Sequence, residues 1–118
     1  MARSSIVALT DILEAIDLAR EAARGMTFEA YDKDRIRRAA TERALLTISE
    51  AVRHLPDEML ARHPDLSWND IRGIGNRIGH EYWIMDLKIV WEVVQHELDP
   101  VETAVRHELA SATGGFRP

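Results

Sequence analysis

The chain has 118 residues, of which 46% are hydrophobic and 30% charged, with a formal net charge of −5 and no cysteine. That length fits one domain with a modest core, and the balance excludes a generally disordered chain. The absence of thiols excludes a disulfide framework and a thiolate metal site and fits a reducing cytoplasm, while the acidic balance argues against broad electrostatic binding of nucleic acid.

No apolar run approaches the ~20 residues of a membrane helix. The N-terminus, MARSSIVALTDILEAIDLAR, carries acidic residues inside its apolar part, unlike a signal peptide. Helical periodicity runs through nearly the whole sequence. Ile6, Leu9, Leu13 and Ile16 predict a first helix from about Ser5 to Ala23, closed by Gly25. MTFEAYDKD is a connection with room for a short turn of helix. A long helix follows from about Lys33 to His54, with Ile36, Ala40, Ala44, Ile48, Ala51 and Leu55 on one side. Near its start Lys33, Arg35, Arg37, Arg38 and Arg43 outnumber Asp34 and Glu42, a pattern read as a solvated basic face.

Pro56 ends that helix and suits the first turn of a short one, PDEMLARH. After HPDLSW, Ser67 with Asp70 three residues on resembles a capping box, and opens a helix carrying Ile71, Ile74, Ile78 and Tyr82 on one stripe. Leu87, Val90, Trp91, Val94 and Leu98 give another. Asp99 and Pro100 read as a fresh cap, so the helix kinks or restarts before Val101, Val105 and Leu109. The end, SATGGFRP, is expected to fray. The reading is an all-α, up-and-down bundle of four to five helices, one domain over residues 1–112 with a flexible tail at 113–118.

The stretch IRGIGNRIGHEYW, Ile71 to Trp83, poses the functional question. Three glycines so close together can mark a loop that cradles phosphate. A dinucleotide fingerprint follows a strand as G-x-G-x-x-G, however, and here no strand precedes Gly73 and the gap from Gly75 to Gly79 is one residue too long. A Walker loop needs G-K-[ST], which is absent. The isoleucine spacing makes the stretch a helix. Each interior glycine then costs roughly 1 kcal/mol relative to alanine. One structural reason for it is close approach of another helix at a notch formed by Gly75 and Gly79. Opposite the isoleucines, Asn69, Arg72, Asn76, Arg77 and His80 make a polar face, either an anion site or an ordinary solvated surface.

Three segments in order along nearly the whole chain carry a resemblance: DILEAIDLAREAARGMTFEAY, ERALLTISEAVRHLP and WNDIRGIGNRIGHEYWIMDLKIVWEVVQHEL. Together they resemble the HepT-like branch of the HEPN superfamily, small helical toxins of bacterial and archaeal toxin–antitoxin pairs. The third segment is the most specific. In that family it runs approximately W-x-x-I-x-G-x-R-N-x-x-x-H-x-Y, followed by an aspartate and an apolar helix. Trp68, Ile71, Gly73, Asn76, His80, Tyr82 and Asp86 match in register. The resemblance implies a HEPN-like bundle that forms a homodimer, with the two motifs facing a shared cleft. It also implies a metal-independent, cofactor-free endoribonuclease acting on RNA in the cytoplasm, with no membrane attachment. The implied partner is a minimal nucleotidyltransferase antitoxin of the MNT type, which silences the toxin by attaching AMP to the tyrosine two residues after the histidine. That position is Tyr82.

The same resemblance assigns roles. His80 would shuttle the ribose 2′-hydroxyl proton or protonate the leaving oxygen. A motif arginine five residues earlier would neutralise charge building on the phosphate, and Asn76 would orient either partner. Here the chain departs from the family, because position 75 is Gly75. Loss of one preorganised charge stabiliser costs on the order of 10²–10³ in rate. Arg77, on the His80 face, and Arg72, beside position 75 on the helix surface, are the candidates to replace it, and neither has the family's spacing. Ser49, in ISEA, also stands where a glycine is more usual.

Three readings follow. One is an active toxin using His80, Asn76, Arg77 and Arg72. Another is a catalytically degenerate dimer that still pairs with a nucleotidyltransferase. The third is a nucleotide pocket in which the same four side chains hold phosphate without cleaving RNA. Tyr82 closes the isoleucine stripe, so a core tyrosine stands beside the modification site as its reading. Trp68, Trp83 and Trp91 read as core or dimer-interface residues. The HE pairs at His80, His96 and His107 lack a second histidine at zinc-helix spacing, so no metal site is expected.

Overall fold

The computed structural model describes the backbone of residues 3–78 and 87–114 and the side chains of residues 5–74 and 87–112. Among them seven helical segments and no strands are found. The first, α1 (Arg3–Ala23), buries Leu9, Ile12 and Ile16 together with Ala8, Ala15 and Ala19. The alanines let the next long helix approach closely. Gly25 ends α1 at φ +74°, in the left-handed region that side chains disfavour.

A short helix, α2 (Phe28–Lys33), is capped by Thr27, whose Oγ1 accepts from the Ala30 amide at 3.1 Å. Asp34 ends α2 and caps α3 (Arg35–Val52), accepting from the Arg37 amide at 3.0 Å. From there α3 runs antiparallel to α1. At one end Arg37 Nη1 donates to the Ala22 carbonyl at 3.0 Å, satisfying an acceptor that the end of α1 leaves open. At the other, Val7, Ala8 and Asp11 share a groove with Glu50, Ala51 and His54. Pro56 then opens the short α4 (Asp57–Ala61), and α5 (Trp68–Ile78) follows. The bundle closes with α6 (Leu87–His96) and α7 (Leu98–Gly114). Arg20 of α1 pairs with Asp99 and Glu102 of α7, the latter at 2.6 Å.

Five long helices and two single-turn ones fulfil the all-α bundle expected from the periodicity, and Trp91 is a core residue at 8% exposure. Its ring lies 4.9 Å from that of Tyr31, which is fully buried. Two details differ from the sequence reading. Ile36, placed on the apolar side of α3, is 77% exposed. The last carbonyls of α1 meet α3 at Arg37, so the first turn of α3 overhangs the end of its neighbour. The buried face runs instead through Thr41, Ala44, Leu45, Ile48, Ser49 and Val52. The restart before Val101 also comes earlier, at Leu98, leaving Pro100 in the first turn of α7, where no amide donor is needed. Among the described residues no helix is long and apolar enough to cross a membrane.

Candidate functional site

Of the site expected from the sequence, Asn69, Arg72, Asn76 and Arg77 fall on α5, which starts at Trp68 because two features hold its first turn. Asp70 places a negative charge at the positive end of the helix, and the Ile71 amide bonds the Ser67 carbonyl at 3.0 Å. The Trp68 indole N–H is shared between the carbonyls of Leu60, at 3.0 Å, and His63, at 3.1 Å. This ties the start of α5 to α4 and its following loop.

Ile71 and Ile74, both half-buried, pack against the core. With Leu45, Ile48 and Val93 they line a groove of about 600 Å³ between α3, α5 and α6. The charged residues at this groove are Asp65, Asp70 and Glu97, joined by His96 and by no Lys or Arg among the described residues. Its field therefore repels phosphate. Arg72 does not line this groove and lies on another side of α5.

Arg72 marks that side. Its Nη2 donates to Asn69 Oδ1 at 3.3 Å, and its Nε is buried without a hydrogen-bond partner among the described residues. Its carbonyl receives two donors: Ser49 Oγ of α3 at 2.8 Å, and Nη2 of Arg53, the residue that caps the end of α3, at 3.4 Å. Ser49 is buried at 2% exposure, whereas Arg53 lies at the surface. Of the residues singled out in the sequence, the structure thus brings Arg72 together with Asn69 and with Ser49. Asn76 and Arg77 fall on the last turn of α5, with Gly75 before them. His80, Tyr82, Gly79, Trp83 and Asp86 lie outside the described residues. A Cβ built on Gly73 meets nothing within 4 Å among the described residues, so their packing does not explain glycine there.

Sequence reasoning passed over Arg53. A signal was present: Arg53 follows Ser49 by four on α3, so whatever Ser49 touches is near Arg53 as well. The basic run on α3 resolves into several kinds of residue. Lys33, Arg35 and Arg43 are exposed, while Arg37 binds the end of α1 and pairs with Asp34 at 3.5 Å. Arg38 is half-buried, with its Nε lacking a hydrogen-bond partner among the described residues. Burial holds the Glu42 carboxyl above the usual carboxylate range, against the attraction of Arg38. Burial likewise raises the Tyr31 hydroxyl, which contacts Thr41 Oγ1 at 2.5 Å. The histidines outside the motif have structural settings: His96 pairs with Glu92 at 3.3 Å, and the His107 ring stands edge-on to His63 at 5.7 Å.

The chain is an all-α bundle whose motif helix, α5, is pinned at its start through Trp68 and met at the Arg72 carbonyl by Ser49 and Arg53. The comparison with known proteins gives the class. Residues 12–108 match the family described as Ribonuclease HepT-like, and the chain belongs to that family. It is 33% identical over 101 residues to a "Putative RNase" of Caldanaerobacter subterraneus subsp. tengcongensis, an alignment covering 86% of this chain and 90% of the relative. It is 32% identical to the "Probable ribonuclease HepT" of Thermococcus cleftensis, covering 83% and 89%. A "Putative RNase" of Methanocaldococcus jannaschii is 30% identical, covering 73% of this chain and 71% of the relative. No solved structure matches the chain.

Proposed function

We propose that the protein is the toxin of a toxin–antitoxin pair, a metal-independent endoribonuclease that cleaves RNA in the cytoplasm at a cleft between two copies of the chain. The observation that carries this reading is the N-x-x-x-H-x-Y core, Asn76, His80 and Tyr82, within a match to a ribonuclease family over residues 12–108. His80 acts as acid and base. It takes the proton of the ribose 2′-hydroxyl as that oxygen forms its bond to phosphorus. The bond to the 5′-oxygen breaks, and the departing oxygen takes up a proton, leaving a cyclic phosphate and a free 5′-hydroxyl. Asn76 orients the reacting groups, and Arg72 and Arg77 offset the charge on the phosphate in place of the absent motif arginine. The partner is a nucleotidyltransferase antitoxin, which silences the protein by attaching AMP to Tyr82. Purified protein cleaving RNA in the presence of a chelator, and losing that activity in His80→Ala, supports the reading. Equal cleavage by the two proteins removes His80 from the mechanism.

Gly75 favours a second reading, a degenerate dimer that retains its nucleotidyltransferase partner without nuclease activity. Gly75→Arg separates the two. A toxic or RNA-cleaving parent excludes the degenerate reading, while an inert parent made active by the substitution establishes it.

A further inference from the structure

We infer that a second copy of the chain docks on the outer face of α1 and α3, across a two-fold axis that sets Arg43 of each copy against the partner's Glu50. The inference rests on the proposed reading of two copies around one cleft and assigns the face through which they pair. A groove of about 850 Å³ marks this face, with Val7 and Asp11 on the α1 side and Arg43, Leu46, Thr47 and Glu50 on the α3 side. Arg43 and Glu50 are both exposed, and Glu50 is held only loosely, 3.8 Å from His54. Val7 and Leu18 are two of the four large apolar side chains exposed among the described residues. They stand eleven positions apart on α1, about three turns, so Leu18 points to the side on which Val7 lines the groove.

Two patterns on this face share one centre. Arg43 and Glu50 lie seven positions apart on α3, about two turns, and so stand on one line of the helix, with their midpoint between Leu46 and Thr47. A half-turn about an axis through that midpoint lays α3 antiparallel on the partner's α3 and pairs each Arg43 with a Glu50. On α1 the midpoint of Val7 and Leu18 falls between Ile12 and Leu13. The offset of the two helices brings the midpoints level. Arg37 reaches the Ala22 carbonyl at 3.0 Å, and Ala8 shares the groove with Ala51, so positions 12 and 13 lie beside 47 and 46. The same axis therefore sets Val7 against the partner's Leu18. A face complementary to itself under a half-turn is what a second copy requires and what an unrelated partner does not. Asp11 and Glu14, exposed on α1, repel their counterparts across the axis, so the attraction falls to the Arg43–Glu50 and Val7–Leu18 contacts. Two helices of this length side by side offer on the order of 600 Å² per copy, at the lower end of specific interfaces.

The test is sedimentation equilibrium of wild type, Arg43→Glu and Glu50→Arg, each alone, and of the two variants mixed. Either substitution alone sets like charges together twice across the axis, and the dimer Kd is expected to rise about 100-fold. In the mixture one variant is acidic at both positions and the other basic, so a heterodimer of near wild-type affinity is expected. Recovery on mixing also shows that both variants are folded. Thr47→Cys gives a second readout that leaves the charges intact. In a chain with no native cysteine, it is expected to form a disulfide-linked dimer on mild oxidation, whereas Thr103→Cys, exposed on α7, is not. A wild-type dimer whose affinity is unchanged in both charge variants overturns the inference and leaves the ribonuclease reading standing. Loss of the dimer in both without recovery on mixing, at wild-type circular dichroism, overturns it in the same way, as does Thr47→Cys without cross-linking. A wild type that stays monomeric at every concentration overturns both the inference and the cleft between two copies.

Discussion

Arg62 and Glu108 are joined by two hydrogen bonds across 46 positions of sequence, Nε to Oε2 at 3.2 Å and Nη2 to Oε1 at 2.8 Å. His63 Nε2 adds a third contact to the same carboxylate at 2.6 Å. Glu108 is only 2% exposed, so its charge is tolerable only with these partners. The group clips the loop after α4 onto α7, and that loop holds the Trp68 indole at the start of α5. The clip thereby bears on where the motif helix begins.

Glu108→Gln keeps the size of the side chain and removes its charge, weakening three charge-assisted contacts. A loss of about 2 kcal/mol is expected, measured as a lower urea midpoint with unchanged slope. An unchanged midpoint would mean that the clip contributes nothing to stability.

The same clip should respond to acid. The Arg62 hydrogen bond, helped by His63 and opposed by burial, holds the Glu108 carboxyl below the usual carboxylate range. A lowered carboxyl pKa means the native state binds the proton less readily than the unfolded chain. Its contribution is complete above the unfolded value of about 4.3 and is lost as pH falls through the lower native value. Wild type should therefore lose stability below about pH 4.3 more steeply than Glu108→Gln. Parallel acid-unfolding curves for the two proteins would contradict this.

Glu42 predicts the opposite sign. Burial raises its carboxyl pKa, and Oε2 is buried without a hydrogen-bond partner among the described residues. The native state then binds the proton more tightly than the unfolded chain, so the ionised group costs stability at neutral pH. Stability at this group is gained as pH falls through the raised native value. Glu42→Gln should raise the melting temperature at pH 7, with the advantage shrinking as the solution is acidified towards the carboxylate range. A melting temperature lowered at pH 7 would show that Glu42 stabilises the native state.

Tyr31 and Thr41 allow a test of direction in one hydrogen bond. Thr41 Oγ1 donates to the Arg38 carbonyl at 2.9 Å, so it accepts from the Tyr31 hydroxyl. Tyr31→Phe leaves Thr41 its own acceptor and should cost about 1 kcal/mol. Thr41→Val strands a fully buried tyrosine hydroxyl and should cost about 2–3 kcal/mol. Chemical denaturation of the two variants gives the order, and a reversed order would reverse the assignment of donor and acceptor.

The sequence by itself determined the helices and where most of them end. Apolar spacing in α1 and α5, Gly25 after α1 and Pro56 before α4 act within a few residues of chain, so they can be read without a structure. It also carried the motif register that placed the chain in a ribonuclease family, and it showed Gly75 in place of the motif arginine. Only the tertiary structure decided which neighbour covers each face. Periodicity placed Ile36 with the buried residues of α3, but α1 stops short of it. Nothing local to Arg62 or Glu108 announces their pairing across the bundle. Nor could spacing along α5 reveal that Ser49 and Arg53 reach its backbone at Arg72, because the offset between two packed helices is set by their crossing and by the loop that joins them. That offset is what brings Ser49 and Arg53 to the motif helix.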